Sequence, residues 1–239
     1  MSAAPDIGAV VVTGAAGAIG RAIAERVAAD GWQVVGFDLR FSGDHPHLAD
    51  AVACDIGDSA AFRAALAGVV RGHKVKGLVN CAGISRVGRF MEDDEAWWRK
   101  LTEINFIAPL VACQTLIPAM IDNGGGAIVN VTSDSGRAGA AGEAVYSGTK
   151  GGLAAFSKSL AQEVGRNGIT VNCVSPGVIE TPMSAPNQEV VAKLIKKVPL
   201  KRVGLPADVA RAVSFLLGPD ASYVTGQTLS VSGGLTMVG

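Results

Sequence analysis

Val10-Val11-Val12-Thr13-Gly14-Ala15-Ala16-Gly17-Ala18-Ile19-Gly20 stands near the amino terminus. Consecutive valines suit a strand buried on both faces, and the glycines after them suit a tight turn, because a residue without a Cβ lets the backbone fold closely. The stretch after Gly17 reads as the start of a helix over 19–29. A strand, a glycine turn and a helix start, in that order, cradle a pyrophosphate: free N–H groups and the positive end of the helix dipole face the anion.

Outward from this unit the pattern repeats. Strand-like runs at 9–13, 33–38, 51–54, 77–80, 127–131, 170–175 and 228–232 alternate with helix-like segments at 19–29, 59–72, 93–105 continuing to 121, 143–164, 189–196 and 206–217. Such alternation predicts an α/β fold: a doubly wound parallel sheet of about seven strands, helices on both faces, in a single domain. No internal repeat or low-complexity tract interrupts it.

Composition narrows the function. The chain has 239 residues, 49% of them apolar and 18% charged, with a formal net charge of zero, so it can bury a full core and has no global field to draw nucleic acid or an anionic membrane. Cys54, Cys81, Cys113 and Cys173 show no metal-ligand spacing and read as reduced, buried thiols in a reducing cytoplasm; no metal site is expected. The first residues lack a basic export signal, and no apolar run is expected to reach the roughly 20 residues a bilayer requires. His45, His47 and His73 lie outside every motif and read as solvent-facing loop residues.

Chemistry concentrates in a second stretch, Tyr146-Ser147-Gly148-Thr149-Lys150. On a helix the phenol and the ammonium lie one turn apart on one face, where the cation favours the phenolate and the pair can move a proton near neutral pH. Ser133 stands at the carboxyl end of the run 128–131, and a loop of small residues, 136–142, leads from it to Tyr146. Asp38 closes the second strand, where a carboxylate can accept hydrogen bonds from both hydroxyls of an adenosine ribose and repels a 2′-phosphate; Arg40 is the neighbouring cation that would suit such a phosphate. Asn105 is an amide inside the apolar stretch Ile104-Asn105-Phe106-Ile107, and a buried amide needs partners.

Taken together over residues 10–234, these motifs resemble the short-chain dehydrogenase/reductase family. The resemblance implies that Gly14, Gly17, Ala18, Ile19 and Gly20 hold the dinucleotide's pyrophosphate, Ala18 standing where the family usually has glycine. It implies that Asp55 and Ile56 meet the adenine, although Asp55 reads as readily as a helix-start residue before Ser59. Asn80-Cys81-Ala82-Gly83 matches the family's Asn-Asn-Ala-Gly, so Asn80, Ala82 and Gly83 bring backbone close to the cofactor. From Pro176-Gly177-Val178-Ile179-Glu180-Thr181, the resemblance takes Pro176, Gly177, the backbone near Ile179 and the Thr181 hydroxyl to fix the nicotinamide carboxamide. Asn105, Ser133, Tyr146 and Lys150 match the catalytic tetrad. Tyr146 exchanges the proton, Lys150 tunes it and binds the nicotinamide ribose, Ser133 holds the substrate oxygen, and Asn105 disturbs its helix and holds a water. Residues 183–199 would form a substrate lid. Asp38 makes NAD the expected cofactor, with NADP the lesser alternative.

For the substrate, the resemblance points to the 3-oxoacyl-thioester reductase branch. It points more narrowly to dehydrogenases of 2-hydroxycyclohexanecarboxyl-CoA, through Ser133-Asp134 with Arg137, Gly142-Glu143-Ala144-Val145-Tyr146, Lys150-Gly151-Gly152-Leu153 and Ser230-Val231-Ser232-Gly233-Gly234-Leu235-Thr236-Met237. The implied activity is NAD-dependent interconversion of a secondary alcohol and a ketone on a hydroxyacyl-CoA. The alternatives are an NADPH-dependent 3-oxoacyl-thioester reductase and, remotely, a non-catalytic dinucleotide sensor. Gly124 and Asn167 occupy positions where reductases of carrier-protein substrates have arginines, although Arg166 is adjacent, which speaks against an acidic carrier protein as partner. Lys193, Lys196, Lys197, Lys201 and Arg202 either meet coenzyme A phosphates or form a solvated face, and Arg86, Arg89 and Arg137 lie on the rim that binds ligands in open sheets. The family further implies a homotetramer or homodimer, in contact through helices 93–121 and 143–164 and the strand near Leu229.

Overall fold

The wholly buried run Ala9–Thr13 forms strand β1, and the glycine turn delivers the chain to helix α1 (Ala18–Ala29). In this computed structural model, which describes residues 7–181 and 194–238, the alternation continues through β2 (Gln33–Asp38), β3 (Asp50–Ala53), α2 (Ser59–Gly72), β4 (Val75–Asn80), α3 (Glu95–Thr102), α4 (Ala108–Asp122), β5 (Gly126–Val131), α5 (Ser135–Ala138), α6 (Ala144–Val164), β6 (Ile169–Pro176), α7 (Pro206–Leu217) and β7 (Thr228–Val231). The strands make one parallel sheet in the order β3-β2-β1-β4-β5-β6-β7. Val11 lies between Val35 of β2 and Leu78 of β4. The order reverses there, so the connections from β1 and β4 leave in opposite directions and open a crevice at the strands' carboxyl ends.

Each face of the sheet has its own core. On one, Phe62 and Leu66 of α2, Leu116 of α4 and Leu160 of α6 cover Phe37, Leu78 and Ile128; Phe37 and Phe62 meet edge-on with centroids 5.5 Å apart. On the other, Ile23 and Val27 of α1 with Val209, Val213 and Leu216 of α7 cover Val10, Val12, Val79 and Val129. Burying one such side chain stabilises the fold by about 1.5–3 kcal/mol.

The structure departs from the sequence reading in several places. The segment expected as one helix over 93–121 is divided: a short 3₁₀ turn (Phe90–Glu92) precedes α3, and a π-helical turn (Glu103–Ile107) separates α3 from α4. The run Glu95–Asp122 also has the length and apolarity of a membrane span, contrary to expectation: its stretch 104–121 carries no charge and is broken only by polar residues such as Asn105, Gln114 and Thr115. Its Leu101, Ala112, Leu116 and Met120 are buried in the protein, so its apolar face serves the core. Part of the expected small-residue loop 136–142 is helical as α5. Within the segments 189–196 and 183–199, residues 183–193 lie outside the described residues, while 194–197 are helical. His73 and His45 are less solvated than expected. His73 caps α2 and lies 2.5 Å from Asp50, and half-buried His45 packs edge-on against Phe41 at 5.0 Å.

Candidate active site

The glycine turn and the end of β2 are fastened together. Ala16 N donates to Asp38 Oδ2 at 2.9 Å and Leu39 N to Oδ1 at 2.8 Å, which fixes a half-exposed carboxylate beside the turn. Gly14 takes φ +72°, and a Cβ on Gly20 would collide with the Gly14 carbonyl, so the turn needs glycine at both. Gly17 caps α1 without a side chain, leaving the first-turn N–H groups of Ala18, Ile19 and Gly20 available to an anion. Helix start, fixed carboxylate and glycine turn together fit a dinucleotide.

Around this cradle the other expected cofactor residues take different places. Exposed Asp55 closes a turn by accepting from Gly57 N at 2.9 Å, while Ile56 is buried. The helix-start task falls to Asp58, which accepts from Ala60 and Ala61. Cys81 N and Ala82 N donate to Thr13 Oγ1 at 3.1 and 3.2 Å, tying the end of β4 to that of β1. Asn80 is buried, its Nδ2 donating to Asn130 Oδ1 at 2.8 Å; Asn130 Nδ2 donates to Ser157 Oγ at 2.8 Å, which donates to the Leu153 carbonyl at 2.7 Å. That chain of buried hydrogen bonds runs from β4 through β5 into α6. Beyond β6, Gly177 N donates to the Val231 carbonyl at 3.1 Å, following Pro176, while Ile179 is buried and bridges to Gly204; Thr181 is half-buried at the edge of the described residues.

The four residues expected to do chemistry converge between β4, β5 and α6. Asn105 sits fully buried in the π-helical turn, its Oδ1 accepting from Ile84 N and its Nδ2 donating to the Ile84 carbonyl, both at 2.9 Å. It thereby clamps the loop that follows Gly83. Asn105 Oδ1 and Lys150 Nζ would each lie 3.3 Å from a Cβ placed on Gly83, so only a small residue lets them approach. Lys150 is buried and donates to the Val131 carbonyl at 2.9 Å, with Nζ 5.9 Å from the centre of the Tyr146 ring.

Burial pushes the Lys150 ammonium down to about 8, opposed by Cys81 and Cys173. It pushes the Tyr146 phenol up to about 12; the hydrogen bond with Ser133 pulls the other way, and Glu143 and Cys81 add to the rise. The sequence predicted an ammonium that favours the phenolate. In the structure, desolvation disfavours the charged form of each group and the ammonium is directed at the Val131 carbonyl, so Tyr146 stands as a neutral phenol. The Cys81 thiol is likewise pushed up to about 12 by burial and is no nucleophile.

Two carboxylates that the sequence offered only as parts of substrate motifs hold the site together. Glu143 accepts from Ser85 Oγ at 3.0 Å through Oε1 and from Ser135 Oγ at 2.9 Å through Oε2, while Ser135 N donates to Ser133 Oγ at 3.2 Å. Asp134, buried directly after Ser133, accepts from Ser175 Oγ at 2.7 Å and Ser230 Oγ at 3.1 Å, joining the ends of β5, β6 and β7. Neither pairing was legible, because the serines come from separate elements: Ser85 from the loop after β4, Ser135 from α5, Ser175 from β6 and Ser230 from β7. The rim arginines are engaged within the protein: Arg86 with Asp93 at 2.6 Å and over Trp97, Arg89 with Glu92 at 3.5 Å, and Arg137 with the Val238 carbonyl. Of the cations expected to meet coenzyme A phosphates, Arg202 pairs with Asp208 at 2.6 Å and Lys201 donates to the Lys196 carbonyl at 2.8 Å, while Lys196 and Lys197 are exposed. Lys193 lies outside the described residues.

Comparison with known proteins gives this arrangement a context. The family profile described as Enoyl-(Acyl carrier protein) reductase matches residues 14–236. The chain is 38% identical over 236 residues to the 3-oxoacyl-[acyl-carrier-protein] reductase FabG of Vibrio cholerae, spanning 95% of this chain and 97% of that protein. It is 35% identical over 246 residues to the acetoacetyl-CoA reductase of Allochromatium vinosum, spanning 95% and 98%. Among solved structures, a blue fluorescent protein from a metagenomic library in complex with NADPH superposes with a TM-score of 0.88 at 35% identity, spanning 96% of this chain and 98% of that one.

Proposed function

Because the chain belongs to the short-chain dehydrogenase/reductase family, oxidoreductases acting on CH–OH groups, we propose that it reduces the ketone of a 3-oxoacyl thioester to the 3-hydroxyacyl thioester with a nicotinamide dinucleotide. The observation that carries this reading is the grouping of Ser133, neutral Tyr146 and buried Lys150 beside the dinucleotide cradle. The relatives' names, acyl-carrier and acetoacetyl-CoA reductases, support the thioester. The narrower reading of an alicyclic hydroxyacyl-CoA draws no support from them.

When bound, the cofactor supplies the hydride to the carbonyl carbon. Tyr146, held protonated, gives its phenolic proton to the carbonyl oxygen, so the ketone gains the hydrogen at carbon and the hydrogen at oxygen that an alcohol requires. Ser133 Oγ orients that oxygen and donates to it as charge develops, an effect worth on the order of 3 kcal/mol. Lys150, which donates to the Val131 carbonyl, keeps further N–H donors beneath the site, able to hold ribose hydroxyls. Asn105 holds the loop after Gly83 through its two hydrogen bonds to Ile84.

Two features favour coenzyme A over a carrier protein. Gly124, where an arginine would serve an acidic carrier, takes φ +82° in the turn before β5, and Lys196 and Lys197 leave exposed cations for phosphates. Asp38 favours NADH: a 2′-phosphate would approach a carboxylate fixed beside the glycine turn. The structural relative bound to NADPH marks the competing outcome. Free thiols at Cys54, Cys81, Cys113 and Cys173 suit a reducing cytoplasm. The test is initial rates with acetoacetyl-CoA, NADH and NADPH in turn, beside simple cyclic ketones as controls. Turnover of the thioester with NADH is expected; equal turnover of the simple ketones would overturn the thioester reading, and a preference for NADPH would overturn the cofactor reading.

A further inference from the structure

Glu143 stands at the start of α6, its side chain turned to Ser85 and Ser135 and making no bond that caps the helix. It is one helical turn before Tyr146, so the two share a face of the helix start. Its oxygens are held one each by hydroxyls from a loop and a short helix: Ser85, which follows the Ile84 clamped by Asn105, and Ser135 of α5, whose backbone N–H donates to Ser133 Oγ. No Lys or Arg pairs with it among the described residues. The carboxylate is therefore positioned without being neutralised by a cation, two hydrogen bonds from the oxygen that meets the substrate. Its effect is felt at the reacting group, for its charge disfavours the Tyr146 phenolate.

We propose that Glu143 is a specificity-determining residue: a fixed negative charge beside Tyr146 that turns away free 3-oxo acids and admits their neutral esters and thioesters. This rests on the 3-oxoacyl reading above and deepens it. In a 3-oxo acid the carboxylate is two carbons from the reacting carbonyl, so a substrate seated on Ser133 and Tyr146 brings that anion toward Glu143. A thioester presents no charge at the same place. Two like charges at such range in a partly desolvated cleft discriminate by roughly tenfold or more. Because Ser85 and Ser135 hold both oxygens, Glu143 cannot readily swing away.

The experiment compares kcat/KM for methyl acetoacetate and acetoacetate, with saturating reduced dinucleotide, in the wild-type enzyme and in Glu143→Gln, which keeps the shape and removes the charge. The wild type should prefer the ester by about tenfold or more, and the variant should bring the two within about threefold, mainly by gaining on the acid. A ratio unchanged in the variant, or a wild type without preference, overturns the proposal; a merely structural role would lower both substrates together. If the variant does not fold, the dissociation constants of the two compounds for wild-type holoenzyme decide by the same ratio. Acetoacetyl-CoA run in parallel separates the readings: its failure to react removes the proposed function, while the ester-to-acid ratio still judges Glu143.

Discussion

Burial acts in opposite senses on the two titrating groups of α6, raising Tyr146 to about 12 and lowering Lys150 to about 8, and each consequence can be measured. Tyr146→Phe removes the proton donor while leaving the ring, so turnover should fall about a thousandfold or more with dinucleotide affinity nearly unchanged, read by cofactor absorbance and by fluorescence titration. Retention of most of the activity would mean another group donates. Lys150 carries a cost to stability with a defined pH window. Its value in the folded protein lies below the ordinary 10.5, so above pH 10.5 the neutral amine carries no charge-burial penalty. The penalty grows as the pH falls toward 8 and is complete below that. Lys150→Met should therefore be more stable than the wild type at pH 7 by on the order of 1–3 kcal/mol, less the lost hydrogen bond to Val131, with the gap shrinking toward pH 10.5. Urea midpoints across that range check it, and a gap independent of pH would show that the ammonium is not desolvated as described. At this scale the nearness of Ser133 to Tyr146 and Lys150, and the place of Asp38, were legible because each stands after a strand or on one helix face, while Asn105 came only from the resemblance. The role of Glu143 was not, since a glutamate before a helix looks like any cap until the loop after β4 and helix α5 bring Ser85 and Ser135 to it.

Among elements, α1 and its turn divide structural glycines from binding ones. Gly20 packs against the Gly14 carbonyl so closely that an added methyl collides with backbone, whereas a Cβ on exposed Gly17 would lie 3.3 Å from the nearest atom, that same oxygen. Gly20→Ala should lower the melting temperature by many degrees, because α1 must lift off β1. Gly17→Ala should leave it within a few degrees and weaken dinucleotide binding instead. Calorimetry with and without cofactor distinguishes the two, and equal loss of stability in both would contradict the packing described. Strands β1, β2, β4, β5 and β6 were legible as apolar runs because a parallel strand is covered on both faces. The π-helical turn agrees with the expectation, drawn from the resemblance, that Asn105 disturbs its helix; the spacing of Ile104-Asn105-Phe106-Ile107 alone continues a helix, and the partner Asn105 reaches, Ile84, is a contact set by tertiary structure.

For the molecule as a whole, the sheet ends on β7, which among the described residues pairs only with β6 and leaves Leu229 41% exposed. Unpaired edges invite a second strand. We expect a dimer or tetramer by light scattering, and Leu229→Arg should shift it toward smaller species; a wild-type monomer would remove the idea. Topology was legible from alternation, but which strand neighbours which depended on crossover direction, which no local spacing encodes. The place of β1 between β2 and β4 also sets a schedule. As the chain leaves the ribosome, β2 and β3 follow β1 promptly, yet the partner for its other edge emerges only after α2 has been made. Until then Val10, Val11 and Val12 present a bare, sticky margin, so refolding should be slow, sensitive to protein concentration and helped by chaperones that shield nascent apolar strands.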